Sequence, residues 1–353
     1  MNIRSKLFAL LAGVWLLGFN VFFSGCSGGG FETPRPAYQP PGYTLGTPVR
    51  GAARHGISRE EYYGWTNAMV MRSDNAEVVV VPEIGRVMSF RLAGGENVFW
   101  DDPSLYGKPV NPEAAEWINF GGDKSWPAPE ADWGRYTGRK EWHPPPAFDA
   151  APVDVRVDGR ELILTSPVDP YYGIQVTRRL ALARGEPKLT ITTTYERVAG
   201  APAKVGVWVI SQFKDPVAVY VPLREKSLFS NGFVKFSEGP WTNVVAEGGL
   251  LRINRDPAKP HKLGSDGGQL LWVGAQVMCL VTSSRVPGAE YPDQGASVEV
   301  YTNPDPKTYV ELETLGPLSL MNPGDKITRV NTYQLYPRTT RAPERDARRV
   351  LDR

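Results

Sequence analysis

An all-β fold, a single large antiparallel sandwich, is what this 353-residue sequence predicts. Three observations carry the prediction. From Tyr62 to Pro337, short runs of β-branched and aromatic residues alternate with Gly, Pro, Asp and Asn, as strands alternate with turns. No long segment repeats its apolar residues with a 3.6-residue period, which disfavours a βαβ design. No short internal repeat is present, which disfavours a propeller. Single β domains of this size occur.

The chain opens "MNIRSKLFALLAGVWLLGFNVFFSGCSGGG". Arg4 and Lys6 precede an apolar run from Leu7 to about Phe23, the layout of a signal peptide spanning residues 1–25. The sequence "FSGC" resembles a bacterial lipobox, with Phe23 where leucine is usual, and implies cleavage before Cys26 and lipidation of that residue. Several acyl chains give stable anchoring where one is marginal. An uncleaved transmembrane anchor is the alternative, since the run is nearly long enough to span. Either way the folded part lies outside the cytoplasm, in the cell envelope. Ser27 after the cysteine points to the outer membrane.

Residues 26–58 are rich in Gly and Pro and lack periodicity, so they read as a tether. The sandwich is expected over 59–338. Its strands include "AEVVVVPE", "RVMSFRLA", "GIQVTRRLALA", "KLTITTTYERV", "KVGVWVISQF", "ASVEVYTN", "TYVELET" and "KITRVNTYQLYP". The stretch 101–149 is the exception, a long Pro/Gly/Trp-rich insertion poor in strand signals. Loops of this length are usually functional or disordered, and the aromatic content argues against disorder. The basic end, 339–353, reads as a solvated tail.

The formal charge is +2, and no basic stretch is interleaved with aromatics, so nucleic acid is not an expected partner. The only cysteine besides Cys26 is Cys279, in "AQVMCLVTSS", where it packs in a strand. With Cys26 lipidated, no internal disulfide is available. The sequence also lacks a G-x-S-x-G elbow, a Walker loop and a dinucleotide fingerprint. No cofactor is implied. Asp123, Glu311 and Glu313 offer hard oxygens for calcium, without an EF-hand loop or His/Cys cluster to support it.

Several segments together resemble the DUF4380 family of bacterial proteins, within the galactose-mutarotase-like superfamily of β-supersandwiches. They are "VPEIGRVMSFRLAGGENVFW" (81–100), "NFGGDKSWPAP" (119–129), "WHPPPAFDAAP" (142–152), "SPVDPYYGIQVTRRLAL" (166–182), "KVGVWVISQ" (204–212) and "YVELETLGPLSLMNPGDKI" (309–327). The superfamily resemblance implies a sugar site on one face of the large sheet. A glutamate there removes the anomeric proton and a histidine protonates the ring oxygen. The last of these segments supplies the glutamate. Tyr309, Glu311 and Glu313 share a face, with Glu313 first choice for the base and Glu311 second. The stretch corresponding to the family histidine holds Trp208, Ser211 and Gln212 instead, and Gln212 cannot serve as a general acid near neutral pH. His143, Lys124 and Lys262 are the remaining candidates for the acid; Lys262 also matches a family-like "K-L-G" pattern.

Four of the ten tryptophans, Trp117, Trp126, Trp133 and Trp142, fall in the insertion. Sugar sites combine flat aromatic platforms with a few oriented polar groups. "NFGGDKSW" offers Asn119, Asp123 and Lys124 as hydrogen-bonding groups and Trp126 as platform, with Gly121 and Gly122 permitting close backbone approach or positive φ. Arg86 is a further inward-facing candidate. An aromatic loop that plugs one end of the sandwich explains the same residues without a ligand. The expectation is thus a lipid-anchored envelope protein that recognises a carbohydrate or sugar acid. Whether it acts as an enzyme, epimerase/mutarotase-like or a lyase, or as a non-catalytic glycan-binding or scaffold protein stays open.

Overall fold

The computed structural model describes residues 55–111, 117–139 and 142–352. The expected signal peptide, Cys26 and the tether up to residue 54 lie outside the described residues. In chain order the strands are β1 (Gly56–Tyr62), β2 (Trp65–Arg72), β3 (Ala76–Val81), β4 (Arg86–Leu92), β5 (Asp123–Ala128), β6 (Asp154–Asp158), β7 (Glu161–Thr165) and β8 (Ile174–Leu182). Then come β9 (Lys188–Arg197), β10 (Ala203–Lys214), β11 (Ala218–Pro222), β12 (Val234–Lys235), β13 (Val244–Glu247), β14 (Leu250–Ile253) and β15 (His261–Ser265). The last are β16 (Gln269–Val273), β17 (Val277–Thr282), β18 (Val298–Thr302), β19 (Tyr309–Leu315), β20 (Ser319–Met321) and β21 (Lys326–Pro337).

They form two antiparallel sheets. One runs β1-β2-β3-β4-β5-β10-β19-β18-β15-β12, with β20 also on β10; the other runs β13-β14-β11-β16-β17-β21-β9-β8-β7-β6. Alternation decides which side chains enter the space between them. In β9, Leu189, Ile191, Thr193, Tyr195 and Arg197 are buried while the residues between them are only partly so. The shared core joins Val78, Phe90, Phe213 and Leu312 of the first sheet to Leu180, Ile191, Leu270 and Leu335 of the second. Truncating one such side chain to alanine costs about 2–5 kcal/mol. Cys279 is buried in β17, and burial pushes its thiol up.

Two expectations change. The insertion 101–149 is not one loop, because its middle, Asp123–Ala128, is the interior strand β5. Pairing with β10 from Asp123↔Ser211 to Ala128↔Gly206 overrides the poor strand propensity of "DKSWPA". Pro127 is tolerated because β4 meets β5 only at Val87↔Asp123, leaving the other edge of β5 without ladder bonds at the proline. The C-terminal segment is likewise not a solvated tail. Pro343–Leu351 is a helix whose Ala347 and Val350 pack against Tyr220, Leu250 and Met278. The short helices Trp133–Thr137 and Pro146–Asp149 follow β5 in sequence. The folded part also begins slightly before residue 59, at Gly56, with His55 beside Asp74 at 3.0 Å.

Candidate functional site

Strands β5, β10, β19, β18 and β15 lie side by side in the first sheet, and their registers fix which residues share a face. Lys124, Ile210, Glu313 and Glu299 form one row across the sheet. Gln212, Glu311, Tyr301 and Lys262 form another. Trp126 and Trp208 are directly paired in a third. This is the outer face of the sheet, turned away from its partner. The structure therefore places Lys124, Trp126, Trp208, Gln212, Lys262, Glu311 and Glu313, all named from the sequence, on this one face.

At one end stands a lysine–glutamate pair. Gln212 Nε2 donates to Glu311 Oε1 at 2.8 Å, and Lys124 Nζ lies 3.9 Å from the same oxygen. The Lys124 side chain is 1% exposed, and its ammonium sits 4.7 Å from the ring centre of Trp126 and 5.4 Å from that of Trp117. It has no hydrogen-bond partner among the described residues, and neither has Gln212 Oε1. Burial, reinforced by the Arg86 charge, brings Lys124 down to about 8. Burial also pushes Glu311 up to about 7, against the pull of Lys124. The result is an acid and an ammonium that both titrate near neutrality.

The other end is an acidic pocket around one cation. Lys262 Nζ lies 2.8 Å from Glu299 Oε2, 3.2 Å from Glu313 Oε2 and 4.6 Å from the centre of the Trp208 ring. Trp208 Nε1 donates to that same Glu313 oxygen at 2.8 Å. Burial acts to lower Lys262, but the combined field of Glu299, Glu313, Asp293 and Glu130 outweighs it and raises the ammonium well above its usual range. Glu299, fully buried, is pushed well above the carboxylate range by burial and then by Glu313. Burial raises Asp293 and Glu130 as well.

The tryptophans form a cluster rather than a platform. Trp126 is 3% exposed and meets Trp117, Trp133, Trp142 and Trp208 edge-on. Asp149 ties this cluster to the sheet, accepting from the indoles of Trp117 and Trp126 at 2.9 Å each and from Arg86 Nη2 at 2.8 Å. Arg86 is fully buried, and its Nε and Nη1 have no hydrogen-bond partner among the described residues. Only Trp142 is substantially exposed, at 48%. The mouth of the site is formed instead by Glu311, Lys262 and the half-buried Trp100 and Tyr301, with Trp100 against Tyr309 at 4.7 Å.

Not every expected residue belongs here. Asp123 points the other way, into the space between the sheets, where it accepts from Arg178, from Ser211 Oγ at 2.6 Å and from the Tyr333 hydroxyl at 2.6 Å. Adjacent strand residues face opposite sides, so the neighbours Asp123 and Lys124 cannot both line one site. For the same reason Asp123, Glu311 and Glu313 do not converge on one calcium ion. His143 lines a small cavity with Trp117 and Asp149, in which neither Glu311 nor Glu313 takes part; burial lowers its pKa. Asn119 accepts from Gly121 N at 3.2 Å and faces the Tyr309 hydroxyl at the edge of the site. Gly121 and Gly122 have φ of 88° and 71°, and a Cβ on Gly121 would lie 2.2 Å from the Trp100 carbonyl.

Sequence reasoning missed Glu299, Tyr301, Asp293, Glu130, Trp100 and Asp149. Glu299 and Tyr301 did carry a signal, since "VEVYT" places both on one face of a strand, as "YVELE" does for Tyr309, Glu311 and Glu313.

Two large antiparallel sheets packed on each other make this a β-sandwich of the galactose-mutarotase-like fold. A galactose mutarotase-like protein from Lactobacillus casei ATCC 334 superposes with a TM-score of 0.54 at 10% identity, covering 76% of this chain and 100% of that one. Galactose 1-epimerase from Lactobacillus acidophilus NCFM superposes with a TM-score of 0.50 at 12% identity, covering 80% and 98%. At such identities the likeness concerns the fold. By sequence the chain belongs to the DUF4380 family, a domain of unknown function, which matches residues 67–336. No curated protein sequence matches it.

Proposed function

We propose that the outer face binds a carbohydrate or sugar acid and transfers a proton on it, in the manner of an aldose epimerase. The observation that carries this reading is the Glu311–Lys124 pair: a carboxylate raised to about 7 and an ammonium lowered to about 8, 3.9 Å apart. Groups with pKa values near the operating pH are those best suited to general acid–base work. Glu311 takes the proton from the anomeric hydroxyl and Lys124 gives one to the ring oxygen. The ring opens, the carbonyl turns, and the reverse transfer closes the other anomer. Glu311 is preferred to Glu313 as base because Glu313 Oε2 already holds the Trp208 indole and Lys262. Lys262, held as a cation by its acidic neighbours, serves to orient sugar hydroxyls. Lys124 replaces the histidine that the resemblance led us to seek.

Anomer interconversion, followed by polarimetry or NMR exchange over a panel of aldoses and uronic acids, tests this. Catalysis by the wild type that disappears in Glu311→Gln, with binding retained, supports the proposal. Full activity in that variant refutes it. A second reading, a non-catalytic glycan-binding protein, draws on the near-complete burial of Lys124. Saturable binding by the wild type with no turnover of any bound sugar would favour it.

The lipobox-like "FSGC" further supports attachment at the envelope membrane through Cys26. Labelling with an alkyne fatty acid, lost in Cys26→Ser, is the expected result.

A further inference from the structure

A cavity of about 330 Å³ lies where β11 ends and β16 begins, sharing no lining residue with the outer-face site. Its charges are unevenly matched. Asp266 is fully buried and fully engaged, accepting from Arg224 Nη1 at 2.8 Å, Ser227 Oγ at 2.6 Å and Leu228 N at 3.0 Å. Arg224 and Asp266 therefore cancel. Arg285, on another wall, pairs with no carboxylate among the described residues. Its guanidinium is centred 4.2 Å from the ring of Tyr291, and only Nη1 has a protein acceptor, Gly295 O at 2.8 Å. The ring is itself fixed, because the Tyr291 hydroxyl accepts from Val286 N at 2.8 Å. Arg329, 4% exposed, interacts with the same tyrosine and donates to Ser284 O at 2.8 Å, while its Nε and Nη2 meet no hydrogen-bond acceptor at bonding geometry among the described residues. Two guanidiniums thus share one tyrosine, and the carboxylate whose field reaches Arg285, Asp266, is already engaged by Arg224, Ser227 and Leu228.

We infer that this cavity is a binding site for the carboxylate of a hexuronate-sized ligand, held by the remaining N–H groups of Arg285. A guanidinium placed over an aromatic ring keeps N–H donors in the planar fork that matches a carboxylate. The volume exceeds what an inorganic anion needs and falls within the range of small-molecule sites. Pro222, Leu223 and Pro287 supply apolar wall, and Gln269 a polar group for hydroxyls. The floor at Gly268 stays free of side chains, because a Cβ there would lie 2.9 Å from the Ser283 carbonyl. The site also touches the proposed catalytic face indirectly: Gly295 ends the turn Asp293–Gly295, and Asp293 is one of the acids around Lys262.

Titration calorimetry of the full-length protein in detergent, with D-glucuronate, D-glucose and sodium sulfate, tests the inference. Glucuronate is expected to bind at least about tenfold more tightly than glucose or sulfate. That advantage should vanish in Arg285→Gln and survive in Glu311→Gln, which alters only the outer face. If Arg285→Gln does not fold, Leu223→Trp, which fills the cavity without removing charge, is expected to give the same loss. Equal binding of sulfate and glucuronate, no preference over glucose, or undiminished glucuronate binding in the cavity variants would overturn the assignment.

Discussion

Asp123 and Lys124 are neighbours in sequence, yet they sit at the centres of two polar clusters on opposite faces of the same strands. The inner cluster is closed. Asp123 has Arg178, Ser211 and Tyr333 as partners, and together they join the two sheets. The outer cluster is unfinished. Among the described residues Lys124 Nζ and Gln212 Oε1 have no hydrogen-bond partner, and Glu299 has Lys262 as its paired cation at 2.8 Å. Buried polar groups normally find partners, so a closed cluster reads as architecture and an unfinished one as a place for something else to bind.

This contrast can be broken by mutation. The largest expected effect is on stability at the inner cluster. Asp123→Ala leaves Arg178 as a buried charge without its partner and should cost about 3–5 kcal/mol, read as a lower denaturation midpoint in urea. A variant as stable as the wild type would show that the inner cluster is not what holds the sheets together. Next comes chemistry at the outer cluster. Glu311→Gln should lower kcat/KM by at least about 100-fold, roughly 2.7 kcal/mol, without lowering stability. Lys124→Met, which replaces a buried ammonium by an apolar side chain of similar length, should be neutral or stabilising by about 1 kcal/mol while abolishing turnover. A marked fall in its melting temperature would move Lys124 into the architectural group.

The smallest effect is a pH dependence. Glu311 is raised from 4.5 to about 7 in the folded chain, so between these values the native state binds more protons than the unfolded one. Its contribution to stability is therefore present in full below about pH 4.5 and is lost as pH rises toward about 7. Lys124 is lowered from 10.5 to about 8, so it acts in the opposite sense, with stability recovered as pH rises between about 8 and 10.5. Unfolding measured across pH should show the first slope in the wild type and a flatter one in Glu311→Gln. Identical slopes in the two proteins would mean that Glu311 titrates normally.

The readable parts of the molecule were those where local pattern and tertiary role agree. In β9, "KLTITTTYER" alternates as an exposed-and-buried strand must, and the sequence alone identifies it. The pairing of Glu311 with Glu313 on one face followed from spacing. "DKSWPA" was unreadable as a strand because its stabilisation comes from β10, about eighty positions later in the chain. The last helix was unreadable because its apolar side is only Ala347, Val350 and Leu351, within an otherwise largely charged segment.

The sequence by itself therefore determined the β class and that Glu311, Glu313 and Tyr309 would face the same way, because a strand's two-residue period is local geometry. Tertiary structure decided which face that was. It decided that Lys124 stands opposite Glu311 while Asp123 turns inward, and that Glu299, Asp293 and Glu130 gather around Lys262. Those choices depend on the register between strands far apart in sequence, and a shift of one residue would exchange the two faces.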